Sequence, residues 1–255
     1  MQPFHLPDRI EILAIDGIPE VYAGAPLAEL LLAALDQSGL RLEDGDLLAV
    51  AHKIVSKSEG RLVALDTVQP SPLAESLAAS FGKDARQIEI VLRESRRIVR
   101  MDAGLILSET HHGFICANAG VDTSNVPAGF ACLLPSDPDR SACKLWDEIA
   151  GRTGKRIAVL ITDTFGRPWR EGLTNVAIGI AGFAPLLDYR GQRDEHGHLL
   201  SATVIAAADE LAGAAELVMG KTSRRPAAII RNYSPARGSG AASELIRPAE
   251  RDLFR

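Results

Sequence analysis

Residues 157–164 read IAVLITDT, five apolar side chains in a row followed by Thr, Asp and Thr. Strict alternation of apolar and polar residues marks a strand with one wet face. A continuous run, here over 156–162, marks a strand covered on both. Few other features of the chain restrict its fold as much, because a strand of this kind needs packing on each side. The run also delivers Asp163 and Thr164 at its C-terminal end, where open α/β sheets place ligand and metal groups. The pattern resembles the acid-bearing strand that holds magnesium in phosphate-loop nucleotidases. An Asp that merely caps the next turn is the common alternative.

The remaining elements are read around that strand. Apolar runs bounded by turn residues predict strands over 11–15, 47–54 and 226–231. Helical spacing predicts helices over 26–39, 70–81, 141–154 and 202–219, the first with Leu27, Leu30, Leu31, Ala34 and Leu35 on one face and Gly39 as its stop. Segment 85–94 fits a helix or a strand. Segments 105–107 and 114–117 flank a turn-like stretch with His111, His112 and Gly113, a hairpin-like pattern. The class is α/β, a mixed α and β chain. No linker separates two compositions, so 1–255 reads as one unit.

Composition narrows the function. The chain is 46% hydrophobic and 24% charged, which excludes wholesale disorder. A net charge of −5 and 5% aromatic residues argue against nucleic-acid partners. No apolar stretch approaches the ~18 residues of a membrane span, so no membrane partner is expected. Residues 1–20 lack a basic start followed by an apolar core, and the expected location is cytoplasmic. Cys116, Cys132 and Cys143 show no CxxC spacing and read as buried, reduced thiols.

Several segments carry candidate chemistry. Segment 118–125 (NAGVDTSN) concentrates turn-forming, oxygen-bearing residues, and Asp122 is a second candidate ligand for a hard metal. Its alternative is a tight loop bonded to itself. Segment 52–61 (HKIVSKSEGR) follows a strand and carries Lys53, Lys57 and Arg61, which suit phosphates or form a solvated basic loop. Segment 165–175 (FGRPWREGLTN) packs Arg167, Trp169, Arg170, Glu171 and Asn175 after Asp163 and suits an anionic or aromatic ligand. Segment 215–222 (AELVMGKT) nearly spells a phosphate loop, but Ala215 stands where that motif needs glycine and a helix runs in where it needs a strand. His111 and His112 are adjacent, which suits a structural or substrate-contact role better than zinc.

Together these segments resemble the coenzyme F420-0:gamma-glutamyl ligase family. The matching stretches are 52–61, 109–125 (ETHHGFICANAGVDTSN), 134–141 (LPSDPDRS), 161–182 (ITDTFGRPWREGLTNVAIGIAG), 188–191 (DYRG), 208–221 (ADELAGAAELVMGK) and 245–255 (LIRPAERDLFR). In some bacterial members this unit is fused to a nitroreductase-like domain; this chain resembles the stand-alone form. The resemblance implies an unusual family-specific fold and an intertwined homodimer. It implies addition of L-glutamate to the lactyl carboxylate of F420-0, then of further gamma-linked glutamates, with GTP, Mg2+ or Mn2+, and K+ as a helper. By resemblance Asp122, Asp163 and Thr164 are metal positions. Ile18, Pro19, Glu20, Val21, His52, Lys53, Lys57, Asn125, Gly220, Lys221, Thr222 and Ser223 belong to the nucleotide site. Arg167, Arg170 and Glu171 are candidate contacts to substrate or phosphate.

The chemistry fits. A carboxylate is a poor acyl electrophile; phosphorylation from GTP turns its oxygen into a leaving group that the amine of glutamate displaces, with metal-bound phosphates and nearby cations absorbing charge. No side-chain nucleophile is needed. One departure stands out: many members follow the Met-Gly pair with Gln or Glu, a metal ligand, where this chain has Lys221. That implies a differently held second ion or a direct lysine–phosphate contact. Two rival readings are a metal-dependent phosphohydrolase and a non-catalytic deazaflavin- or nucleotide-binding module.

Overall fold

The computed structural model describes residues 7–233, 235 and 238–252. In chain order the elements are β1 (Glu11–Ala14), α1 (Leu27–Gln37), β2 (Leu47–Ala51), α2 (His52–Ser58), β3 (Leu62–Ala64), α3 (Pro72–Phe81), α4 (Ala85–Glu94), β4 (Ser95–Asp102), β5 (Leu105–Thr110) and β6 (Ile115–Ala117). There follow β7 (Phe130–Cys132), α5 (Pro138–Thr153), β8 (Ala158–Arg167), β9 (Arg170–Ala181), β10 (Leu187–Asp188), β11 (Val204–Ile205), α6 (Ala207–Met219) and β12 (Ala227–Arg231). The chain is thus mixed α and β.

The principal sheet has the order β1-β12-β2-β8-β9. Only the β2–β8 pairing is parallel; the other three are antiparallel. Residues Ala158 to Ile161 of β8 are buried, as the unbroken apolar run requires. Opposite faces of this sheet are covered by α5 and α6. Side chains alternate along a strand. Asn175 of β9 reaches Glu216 of α6, whereas Gly179, on the other side of a bulge, lies against Pro138 of α5.

An edge strand leaves N–H groups to satisfy. On β9 the N–H of Ala177 donates to Asp209 of α6 at 2.9 Å, and that of Ile180 to Asp139 of α5 at 2.8 Å. Burial pushes both carboxyls above the ordinary value, against the lowering effect of the N–H groups they accept. Two smaller apolar clusters sit beside the main core. One joins α3, α4 and β5 around Ile88, Val91 and Ile106; the other gathers Leu65, Val68, Ile90, Ala131 and Leu133. Strands β4, β5 and β6 form a three-stranded antiparallel meander, which includes the expected hairpin.

Several boundaries differ from the sequence reading. The strand expected over 47–54 stops at Ala51, where its pairing with β8 ends at Thr162. The chain then turns into α2, so the basic segment is not a solvated loop: His52 and Lys57 are buried. Segment 85–94 is a helix, started by the Asp84 side chain accepting from Arg86 N–H at 2.9 Å. The helix expected over 141–154 begins at Pro138, capped by Asp137, because proline suits the first turn. The helix expected from 202 begins at Ala207, since 204–205 pair with β10 instead. In 215–222 a helix runs in and β12 follows, the reverse of a phosphate loop. Cys116 and Cys132 are buried, but Cys143 is exposed, and all three are free thiols. Residues 1–6 of the N-terminal stretch and 253–255 of the tail motif lie outside the described residues.

Two glycines in and beside α5 make opposite predictions. A Cβ on Gly179 would lie 2.3 Å from the Pro138 carbonyl oxygen, a backbone atom that cannot swing aside. Gly151 is helical, exposed and meets nothing within 4 Å. Denaturant unfolding should therefore find Gly179→Ala destabilised by about 1–3 kcal/mol, and Gly151→Ala stabilised by roughly 0.5–1 kcal/mol. Equal shifts for both would contradict the close docking of α5 on β9.

Candidate active site

The end of β2 and the middle of β8 place His52 beside Asp163. His52 is 3% exposed, with Nε2 3.2 Å from Asp163 Oδ1 and Nδ1 3.3 Å from Ser56 Oγ. A carboxylate only accepts, so Nε2 carries a proton and donates it to Asp163, with the Ser56 hydroxyl on the other ring nitrogen. The Thr164 N–H also donates to Asp163 Oδ1, at 2.7 Å. Both contacts fall on one oxygen of the carboxylate.

The next residue of α2 anchors the 118–125 loop. Lys53 Nζ lies 2.5 Å from Asp122 Oδ2 and donates to the Ser124 hydroxyl and carbonyl at 2.8 and 2.9 Å. Ser124 in turn donates its N–H to Asp122 Oδ1 at 2.7 Å. The Asp122 backbone exchanges hydrogen bonds of 3.0 and 2.8 Å with Cys132. Asn118, Ala119 and Asn125 take left-handed φ values of 51°, 52° and 54°, which non-glycine residues adopt reluctantly. Ala119 is held there by burial in the α3–α4 cluster. Burial pushes the Asp122 carboxyl up, but Lys53 and Ser124 outweigh it and hold the group below its ordinary value.

The other side of β8 carries Thr164. Its hydroxyl donates to Asn175 Oδ1 at 2.7 Å and accepts from Lys221 Nζ. Asn125 Nδ2 lies 3.4 Å from the Lys221 carbonyl, so the Asp122 loop and the segment after α6 meet here. Gly220 ends α6; Thr222 and Ser223 are exposed, and Ser223 Oγ bonds back to the Met219 carbonyl. Arg225 Nε reaches Asp16 at 2.7 Å, tying this segment to the loop after β1. In that loop Val21 is buried, Ile18 packs on the main core, and Pro19 and Glu20 are exposed. Glu20 pairs with Lys57, whose own side chain is only 8% exposed. The buried thiols nearby are held protonated: burial, aided by the charge of Asp163, pushes Cys116 up to about 12, and burial pushes Cys132 up to about 11.

The stretch that carries these residues is similar to known proteins. A family model described as F420-0:Gamma-glutamyl ligase matches residues 17–232. The chain belongs to that family. It is 47% identical over 249 residues to a coenzyme F420:L-glutamate ligase of Methanothermobacter thermautotrophicus, covering 96% of this chain and 99% of the relative. A similarly described protein of Methanopyrus kandleri is 46% identical over 251 residues, with 95% and 98% covered. One of Archaeoglobus fulgidus is 41% identical over 248 residues, with 97% of each covered.

In this member of the F420-0:gamma-glutamyl ligase family, the expected metal and nucleotide positions His52, Asp163, Thr164, Lys221 and Asn125 are joined by direct contacts, Lys53 holds Asp122, and Lys57 pairs with Glu20. Arg167, Arg170 and Glu171 do not join these contacts. They lie at the exposed tip of the β8–β9 hairpin, three residues and roughly 10 Å along the strand from Thr164, where Arg167 Nη2 donates to the Glu171 carbonyl at 3.0 Å. His111 and His112 bond backbone carbonyls of Arg93 and of Pro135 and Ser136, a structural use. Glu216 carries no mark in the sequence and gains its contact to Asn175 only through folding, whereas Ser124 lies in the 118–125 loop and bonds Asp122 two residues away. No helix among the described residues is long and apolar enough to cross a membrane.

The Lys53–Asp122 pair yields a signed prediction. A carboxyl with a depressed value adds stability that is complete above the ordinary carboxylate range and lost as pH falls through the depressed value. Replacing Lys53 by Met should raise the Asp122 titration, read by carboxyl carbon NMR, and reduce that acid-side loss of stability. An unmoved Asp122 titration would mean that Ser124 alone sets it.

Proposed function

We infer that this chain is a GTP-dependent ligase that joins L-glutamate to the lactyl carboxylate of F420-0 and then extends the product with gamma-linked glutamates. The reading rests on family membership and the relatives' names. The observation that carries it is the convergence on α2 of two carboxylates, Asp163 through His52 and Asp122 through Lys53, with Thr164 and Lys221 beside them.

The donor set suits the implied metal. Asp122, Asp163 and the Thr164 hydroxyl are hard oxygen donors, as Mg2+ and Mn2+ prefer. No three His, Cys, Asp or Glu side chains among the described residues form a metal-holding group. An ion held by these donors would take its other ligands from phosphates and water. When bound, a divalent ion would neutralise charge on the transferring phosphoryl group. K+ belongs to the same proposal as a helper.

In this mechanism an oxygen of the substrate carboxylate attacks the γ-phosphorus of GTP, and GDP leaves. The α-amine of glutamate then attacks the acyl carbon of the acyl phosphate, inorganic phosphate departs and the amine loses a proton. Lys57 is the buried cation for a phosphate, and exposed Glu20 is the carboxylate that a phosphate would displace from it. His52 keeps one oxygen of Asp163 engaged, which orients the other. The Ile18–Val21 loop and the Gly220–Ser223 segment, tied by Arg225 and Asp16, would enclose the nucleotide.

Incubation of the protein with F420-0, L-glutamate, GTP and Mn2+ should give products heavier by glutamyl units. Asp163→Asn should abolish them while the protein stays folded. Lys57→Met should raise KM for GTP or lower turnover, by roughly 10- to 100-fold for a charge-assisted bond of ~1.5–3 kcal/mol. Phosphate release that needs no glutamate would favour the hydrolase, and retained biological activity in Asp163→Asn a binding module.

The homodimer is part of this proposal. Trp169 and Leu173 on the β8–β9 hairpin are 86% and 67% exposed, and Met101 and Leu105 on the meander are exposed as well. A second copy would cover such apolar side chains. Sedimentation at assay concentration should give twice the chain mass, and a monomeric active species would refute it.

A further inference from the structure

Four side chains connect α6 to β8 across β9. Asn175 Nδ2 donates to Glu216 Oε2 at 3.0 Å and lies 3.4 Å from Thr162 Oγ1. Asn175 Oδ1 accepts the Thr164 hydroxyl at 2.7 Å, and Lys221 Nζ donates to the same hydroxyl oxygen. Asn175 and Thr162 are 4% and 1% exposed, so the middle of this chain of bonds is buried, and its Lys221 end is exposed.

Its polarity follows from the end groups. An ionised carboxylate only accepts, and an ammonium only donates. Glu216 therefore requires the NH2 side of the Asn175 amide, which turns Oδ1 toward Thr164. The threonine has one hydroxyl proton, and Oδ1 takes it. The lone pairs of Thr164 Oγ1 are left for the cation on its other side. If the amide were flipped, its oxygen would face the Glu216 carboxylate and its NH2 would use up a Thr164 lone pair.

The geometry points to Glu216 and Asn175 as positioning residues that hold the Thr164 proton away from the cation site, so that its oxygen is presented as an acceptor. The cation here is the Lys221 ammonium; in the loaded enzyme it is the divalent ion. The inference rests on the reading of Thr164 as a metal position under the proposed function. Neither Glu216 nor Asn175 touches a reacting group.

The test is Mn2+ binding in the presence of guanylyl imidodiphosphate, followed by the electron paramagnetic resonance of free Mn2+. Glu216→Ala keeps a strong helix former within α6, and circular dichroism checks its fold. It should weaken Mn2+ binding roughly 10- to 100-fold, as loss of an outer partner of a ligand does. Glu216→Gln keeps an acceptor for Asn175 without the charge and should bind close to wild type. Thr164→Val should weaken binding, and adding Glu216→Ala to it should weaken it no further, because both act through one oxygen. Glu216→Gln as weak as Glu216→Ala would make the effect one of charge and overturn the proposal. So would additive losses, or tight binding by Glu216→Ala beside weak binding by Thr164→Val. Wild-type affinity in Thr164→Val would remove the metal reading of Thr164, and this inference with it.

Discussion

Successive side chains of an extended strand point to opposite faces, and the active-site geometry follows from that rule at Asp163 and Thr164. Asp163 turns toward α2 and the meander, where His52 meets it and Cys116 feels its charge. Thr164 turns toward α6, where Asn175 and Lys221 meet it. Two neighbouring residues on one strand thus serve separate groups of partners. The parallel pairing of β2 with β8 fixes the rest: Ala51 is opposite Thr162, so the first residues of α2 emerge level with Asp163.

Each cation of the site is held by a partner. The chain is acidic overall, yet Lys53, Lys57, Lys221 and Arg225 converge here, each already engaged by Asp122, Glu20, Thr164 or Asp16. The pairs differ in burial. Lys57 is almost buried whereas Glu20 is 80% exposed, so the lysine is fixed and its carboxylate is the part that can leave. A buried cation needs a counter-charge at all times. Under the proposed function, an incoming phosphate would replace the exposed glutamate without leaving Lys57 alone.

What the sequence revealed depended on whether the signal was local. The apolar run of β8, the turn residues of the 118–125 loop and the amphipathic faces of α1 and α6 are all visible within a short window. The strand β4 was not, because Arg96, Arg97 and Arg100 interrupt its apolar residues and Glu109 of β5 answers two of those charges across the meander. The end of β2 was not legible either. Leu47 to Ile54 reads as one apolar-rich run, and only the loss of pairing beyond Ala51 turns its last residues into a helix. Asn175 stood out by its place in a polar cluster, but Glu216 lies 41 positions away and looks like any acid on an Ala-rich helix.

That helix shows how sheet packing fixes the last part of the site. Asp209 and Glu216 are seven residues apart, about two helical turns, and so share a face. Asp209 accepts the Ala177 N–H and Glu216 the Asn175 amide, so α6 grips the edge strand β9 at two points along its length. Two attachments determine both the position and the direction of a rod. The helix ends at Met219, Gly220 turns the chain with φ +61°, and Lys221 then falls on Thr164. The lysine's placement therefore depends on Asp209, which satisfies an N–H of the sheet edge, and on Glu216, which holds the Asn175 amide.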